Sequence, residues 1–395
     1  MKKLIFFILV IVLMLSVCAC SSSGSSFSSN SNNDKQVISQ NIQQNIEHYP
    51  LYNSLTADEK NAYIEIYSAL EKFNKSTSVI YECDSDREAS KFGKRMMSLY
   101  RQIVFEQPEM FWVDPYNCEV VINQMGSKFK VLLEPSYILE KEDALAKKVQ
   151  FDQTLDMIVA NANAKESTFE KILYVHDYIV GNCYYDEEII ETENYKTTLI
   201  NAYGCLIEGK TICSGYTLAF DAIMKRLGFV CGVEFNNYND FSVLTGHVWN
   251  YCKIDNEYYY FDLTWNDTGY DSDDFKEYFD YSYDYFGVTK DELSKSNFTM
   301  TSDAPTPLCS GIQYNYFVNK GYNIPEYTFD AAKEAILKQS EQNYIALRFD
   351  DYAQLLSAES ELIKDGKIYT LFPELKKIKY SISKSSLHLY ILFAE

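Results

Sequence analysis

Residues 246–265 read GHVWNYCKIDNEYYYFDLTW, and this stretch restricts the fold more than any other. Two runs rich in Val, Tyr, Phe and Trp flank a short DNE turn, so they pair as an antiparallel hairpin. A two-residue turn at Asp255-Asn256 sets Ile254 opposite Glu257, Trp249 opposite Asp262 and His247 opposite Thr264. His247 and Asp262 then share one face of the sheet, a diagonal step apart, within reach of a side-chain hydrogen bond. A four-residue turn keeps that parity, whereas a three-residue turn sends the two side chains to opposite faces.

Upstream, KTICSGYTLAFDAIMKRLGF carries Tyr216, Phe220, Ile223 and Leu227 at helical spacing, which predicts an amphipathic helix starting at or just after Cys213. The first turn of a helix presents unpaired N–H groups and the positive end of the dipole, so a thiolate is favoured there. A free thiol titrates near ~8.5, and a helix start together with an imidazolium lowers it. Cys213 is therefore the candidate nucleophile, with His247 as base and then acid. Asp262 is the candidate that orients the imidazole and stabilises its charged form. The Cys213 N–H is a natural oxyanion donor; a second is required, and no motif names it.

The chain has only four histidines. His48 lies at the edge of a polar stretch, His388 in a terminal hairpin, and His176 on an apolar helix face, where it reads as a packed core histidine. Trp249, on the face of His247, and Tyr216, just past the sulfur, are the candidates for lining a substrate cleft, while Trp265 is expected in the core. Asp267, Asp271, Asp273 and Asp274 lack the glycine of a calcium loop and read as a solvated acidic loop, so no metal site is assigned. With too few histidines for a metal-dependent hydrolase and no glycine-rich phosphate loop, the expected chemistry needs no cofactor.

The first twenty residues are an address. MKK is followed by an apolar run of fourteen, too short for a comfortable membrane span and suited to a signal peptide. VCAC and a Ser/Asn-rich stretch come next, which resembles a bacterial lipoprotein signal; Cys20, preceded by Ala19, is the lipidation candidate ahead of Cys18. The chain is thus expected on the extracellular face of a bacterial membrane, held by a lipid anchor. A net charge of −20 with no Lys/Arg-rich block argues against nucleic acid as a partner. Eight cysteines remain outside the leader, without a CxxC pair; they read as mostly free, buried thiols, with room for one or two disulfides.

The organisation expected is a signal peptide over 1–20, a disordered polar tether over 21–48, an N-terminal helical and hairpin region over 49–164, a catalytic core over 165–290 and a C-terminal α+β module over 291–395. Thr56 with Glu59 and Ser167 with Glu170 form capping boxes that open helices. A second helix runs through Phe92 to Ile103, a hairpin turns at Met125-Gly126-Ser127, and a third helix spans about 141–163. The C-terminal module reads helix, strand, helix and closing hairpin, FDAAKEAILKQ, YIALRF, YAQLLSAESELI, then KIKYSIS with LHLYILF.

Cys-then-GY, GH-x-WN and D-x-TW, in this order and spacing, resemble the transglutaminase-like superfamily, and ILYVHDYIVGNCYYD with AYGCLIEGK resembles the lead-in of its bacterial members. The resemblance covers roughly 165–290. It implies an α+β, papain-like core, with a thiol-bearing helix packed on an antiparallel sheet, and puts the family triad on Cys213, His247 and Asp262. The function expected is a cell-surface thiol enzyme acting on amide bonds of proteins or peptides, cell-wall peptides among them, through an acyl-enzyme thioester. The reaction would be that of a peptidase, deamidase or transamidase. The alternative is a non-catalytic surface binding or scaffold lipoprotein on the same fold.

Overall fold

The structure is a computed structural model that describes residues 29–126, 128–191, 200–236, 246–267, 281–295 and 306–394. The signal peptide, Cys20, and Asp271, Asp273 and Asp274 of the acidic loop lie outside the described residues.

The polar stretch expected as a tether is instead a helix over Ser29–Gln44, followed by a short turn over Ile46–His48. The cause is its few apolar residues. Ile38 and Ile42 stand one turn apart and are buried in the main core. Lys35 pairs with Glu65, and Asp34 with Lys72, on the neighbouring helix.

That neighbour, Ala57–Lys72, opens on a complete capping box between Thr56 and Glu59. It packs with the helix Asp86–Glu106 over a three-stranded antiparallel sheet. The sheet's order is Thr77–Glu82, Lys128–Tyr137, Val113–Met125. The first of these strands escaped the sequence reading: TSVIYE is short, and only its Val79 is fully buried. A helix over Lys141–Asn163 then leads to Thr168–Asn182, which begins at the Ser167–Glu170 capping box.

The central unit sets the helix Cys213–Arg226 against a four-stranded antiparallel sheet. In order, its strands are Val230–Phe235, Val248–Ile254, Glu257–Phe261 and Phe286–Val288. The hairpin pairs run from Ile254↔Glu257 to Asn250↔Phe261, the register of a two-residue turn. Asp255 takes the left-handed conformation (φ 54°) that such a turn demands and that Asp tolerates.

Two expectations need correction here. The returning strand was expected through Trp265, but it ends at Phe261, and Leu263–Asn266 form one helical turn. The helix of Cys213 is not amphipathic: every residue from Cys213 to Met224 is buried. It lies between the sheet and the helices Lys141–Asn163 and Thr168–Asn182, so its polar face is covered as well. The segment around Cys205 is helical over Gly204–Glu208.

The C-terminal module has its own core around Phe349, Leu355, Leu362 and Ile391. Its sheet runs Asn323–Ile324, Tyr344–Phe349, His388–Ala394, Lys377–Ser383, with the last two strands paired as a hairpin from Lys377↔Ala394 to Ser383↔His388. All eight cysteines beyond the leader are unbridged, and six are buried. Among the described residues no helix is long and apolar enough to cross a membrane.

Candidate active site

Cys213 is the first residue of its helix, with Ile212 at the cap in extended conformation. Its side chain sits at the edge of the core, the residue 8% exposed. Two buried polar links hold this end of the helix on the strand that follows His247. The Thr217 hydroxyl donates to the Val248 carbonyl at 3.0 Å, and the Asn250 amide donates to the Thr217 carbonyl at 3.0 Å. Gly215 lets the helix approach Thr211 closely; a Cβ at this position would lie 2.0 Å from the Thr211 Oγ1.

His247 immediately precedes the strand Val248–Ile254, and its N–H donates to Asn236 Oδ1 at 2.7 Å. Its Nε2 meets Asp262 Oδ2 at 2.6 Å. The Cys213 thiol is in hydrogen-bond contact with the same ring, for which Nδ1 is the nitrogen left over. Burial pushes the imidazole toward its neutral form, but the Asp262 carboxylate, its hydrogen bond and the Cys213 sulfur outweigh this and raise the pKa to about 10. An imidazolium is therefore the resting form at neutral pH.

Asp262 is itself 1% exposed. Its second oxygen, Oδ1, accepts the Trp265 N–H at 3.1 Å and so caps the turn Leu263–Asn266. Both carboxylate oxygens are thus fixed. Asn266, at the end of that turn, bonds His176 Nε2 at 3.0 Å and accepts the Tyr285 N–H at 2.8 Å. His176 is fully buried, with Nδ1 3.0 Å from Asp177, a core histidine as expected.

The structure brings Cys213, His247 and Asp262 together. It does not put Trp249 or Tyr216 in an open cleft, since both are 0% exposed. Trp249 stacks beneath the His247 ring, centroids 5.8 Å apart, and Tyr216 donates to Asp267 Oδ2 at 2.6 Å inside the core. Trp265 takes the outer position instead. Because the strand gives way to a helical turn at Asp262, strand alternation stops, and Trp265 swings round to meet His247 edge-on at 5.9 Å. It also borders a cavity of about 270 Å³ shared with Tyr283, Tyr344 and Tyr390. Asn236 and Asn266, which steady the histidine and the capping turn, escaped the sequence reading, because their partners His247, His176 and Tyr285 are set by the fold and not by a local pattern. Among the described residues no group of His, Cys, Asp and Glu is arranged to hold a metal ion.

The sequence model of the transglutaminase-like superfamily matches residues 153–263, the segment that contains all three of these side chains. No curated protein matches. A solved structure described as the crystal structure of a TGase is 14% identical over 39% of this chain and 45% of that one, with a TM-score of 0.27, so the chain spans less than half of its length. Residues 153–263 thus carry a transglutaminase-like domain.

Proposed function

We propose that the protein is a thiol enzyme that cleaves or exchanges amide bonds of proteins or peptides through an acyl-enzyme on Cys213. The observation that carries this reading is the single line of contacts from the Cys213 thiol through His247 to a buried carboxylate. A non-catalytic scaffold has no use for an ion pair held at a helix start beside a thiol, and burying charged groups is costly unless they are used or fully paired.

In acylation Cys213, its proton already held on His247, attacks the amide carbon as the thiolate; a C–S bond forms, and the carbonyl electron pair moves onto oxygen. Collapse restores the carbonyl and breaks the C–N bond, while His247 gives its proton to the leaving nitrogen. Water or an amine then loses a proton to His247 and attacks the thioester, and sulfur leaves. Asp262 keeps the ring in place and stabilises its charged form throughout. The chemistry draws on no metal or cofactor. The leader of residues 1–20 supports a location on the outer face of a bacterial membrane, anchored at Cys20, where proteins and cell-wall peptides are the substrates within reach.

The test is mass spectrometry of the intact chain after incubation with cell-wall peptides, surface proteins and p-nitrophenyl acetate. An acyl adduct on Cys213 that vanishes in Cys213→Ala is the expected result. Turnover that survives in Cys213→Ala would refute the reading.

A further inference from the structure

The outer strand of the central sheet, Phe286–Val288, is gripped on both sides by the C-terminal module. Before it, the Tyr390 hydroxyl donates to Asp284 Oδ1 and the Ser386 hydroxyl donates to Oδ2 at 3.3 Å, while His388 Nδ1 lies 3.0 Å from Oδ1. After it, the Arg348 guanidinium pairs with Glu292, whose carboxylate also accepts the Thr289 N–H at 2.7 Å. Arg348 and His388 are direct cross-strand partners in the C-terminal sheet, so both side chains stand on one face of it.

We propose that the C-terminal module positions Asp262, acting through His388, Asp284 and the Tyr285 peptide. What that position serves rests on the acyl-enzyme reading above. Asp284, Tyr285 and His388 all lie outside residues 153–263, so the family match does not supply this role.

The link is a short run of hydrogen bonds. Tyr285 follows Asp284, and its backbone meets both ends of the turn Leu263–Asn266. Its carbonyl accepts the Asp262 N–H at 3.1 Å, and its N–H donates to Asn266 Oδ1 at 2.8 Å. The Asn266 carbonyl in turn accepts the Ser282 N–H at 2.6 Å. Asp262 is thereby fixed through its backbone, and its side chain holds His247 Nε2 at 2.6 Å. From His388 to His247 the path crosses one carboxylate, one peptide and a second carboxylate.

The grip itself is enclosed. His388 is 1% exposed and stacks on Phe317, with centroids 4.2 Å apart. Burial disfavours the Asp284 charge, but His388, Tyr390 and Ser386 outweigh it and hold the carboxyl below its ordinary range. A buried carboxylate that leaves such partners pays the full cost of being unpaired, so Asp284 has one favourable station. The peptide beside it is held there as well. His388 and Asp284 are therefore positioning residues, since neither touches the thiol.

The experiment compares the wild-type full chain with His388→Phe, which keeps a ring against Phe317 but offers Asp284 no N–H, and with Asp284→Asn. Two quantities are read on folded protein. The first is acylation of Cys213 by p-nitrophenyl acetate, followed by mass spectrometry and corrected for Cys213→Ala. The second is the titration of the His247 ring by NMR, its signal assigned with His247→Gln. A misplaced Asp262 no longer holds the imidazolium, so the His247 pKa, about 10 in the wild type, should fall by about one unit or more. Acylation should slow on the order of 10²-fold. An unchanged His247 titration in both variants overturns the proposal and leaves the acyl-enzyme reading standing, even if their unfolding midpoints drop, because the contact would then only support the fold. If neither variant folds, Tyr390→Phe and Ser386→Ala, each removing one donor from Asp284, carry the same expectation at smaller size, and an unmoved His247 titration in both overturns it equally. A wild-type Cys213 that never acylates refutes the acyl-enzyme reading, while the His247 titration still decides whether Asp262 is positioned from the C-terminal module.

Discussion

Asp262 serves His247 and its own helix with the same carboxylate. Oδ2 holds Nε2 of the imidazole at 2.6 Å, and Oδ1 caps the turn Leu263–Asn266 through the Trp265 N–H at 3.1 Å. A rotation that would release the histidine would also uncap the turn, so the carboxylate has little freedom to leave its station. This double use separates the consequences of two substitutions. Asp262→Asn keeps an oxygen for the cap but removes the charge; acylation of Cys213 should fall by about 10²–10⁴-fold, with a small change in thermal stability. Asp262→Ala should lose the same activity and, in addition, about 1 kcal/mol of stability from the missing cap. Acylation kinetics and denaturant unfolding on the two variants check this, and equal stabilities for both would refute the capping role.

The charge on His247 makes stability depend on pH. Its folded pKa of about 10 lies above the ordinary histidine value, so the folded state holds a proton that the unfolded chain has released. The resulting stabilisation is complete below the unfolded pKa of about 6.5, declines as pH rises through the interval above it, and is gone beyond about 10. Wild type should therefore lose stability relative to His247→Gln between these limits, and unfolding midpoints measured from pH 6 to 11 on both proteins would show it. Parallel curves would mean that the ring is not held charged.

Gly215 should tolerate no side chain. A Cβ there meets Thr211 Oγ1, Cγ2 and Cβ at 2.0, 2.5 and 2.6 Å, in a helix buried on all sides. Gly215→Ala is expected to cost about 1–3 kcal/mol by overpacking and to displace the helix start, so that Cys213 alkylation slows as well. The double variant Gly215→Ala with Thr211→Gly, which removes the opposing side chain, should recover part of both losses.

Asn250 holds the register between the thiol helix and the histidine strand. Its amide donates to the Thr217 carbonyl, one turn past Cys213, from within the strand that begins after His247. Asn250→Leu leaves that buried carbonyl without this donor, at a cost of about 1–3 kcal/mol. Acylation should decline in the variant while it is still fully folded, a combination that unfolding curves and burst kinetics on one sample would reveal.

The parts of the site legible in the sequence are those written in local patterns. The turn at Asp255-Asn256 sets a strand register, and register sets the parity of His247 and Asp262, because side chains alternate with period two. The capping boxes at Thr56 and Ser167 work within four consecutive residues and could be read in the same way. Trp249, Trp265 and Tyr216 were misjudged because burial depends on what lies across from a residue. Trp249 was assigned to the cleft by alternation alone, yet it packs beneath the histidine, and alternation ends at Asp262, where the chain turns helical. The helix Ser29–Gln44 was read as a tether from its polar composition, while Ile38 and Ile42 find their partners only once the helix Ala57–Lys72 is beside them.

By itself, then, the sequence determined the local hairpin, the helix beginning at the thiol, and the order cysteine, histidine, aspartate, since these follow from spacing and turn chemistry among near neighbours. Tertiary structure alone decided that the helix is enclosed on every side and that the aspartate also caps a turn. Those outcomes depend on surfaces brought together from distant parts of the chain, and no local pattern specifies which surface a given side chain will meet.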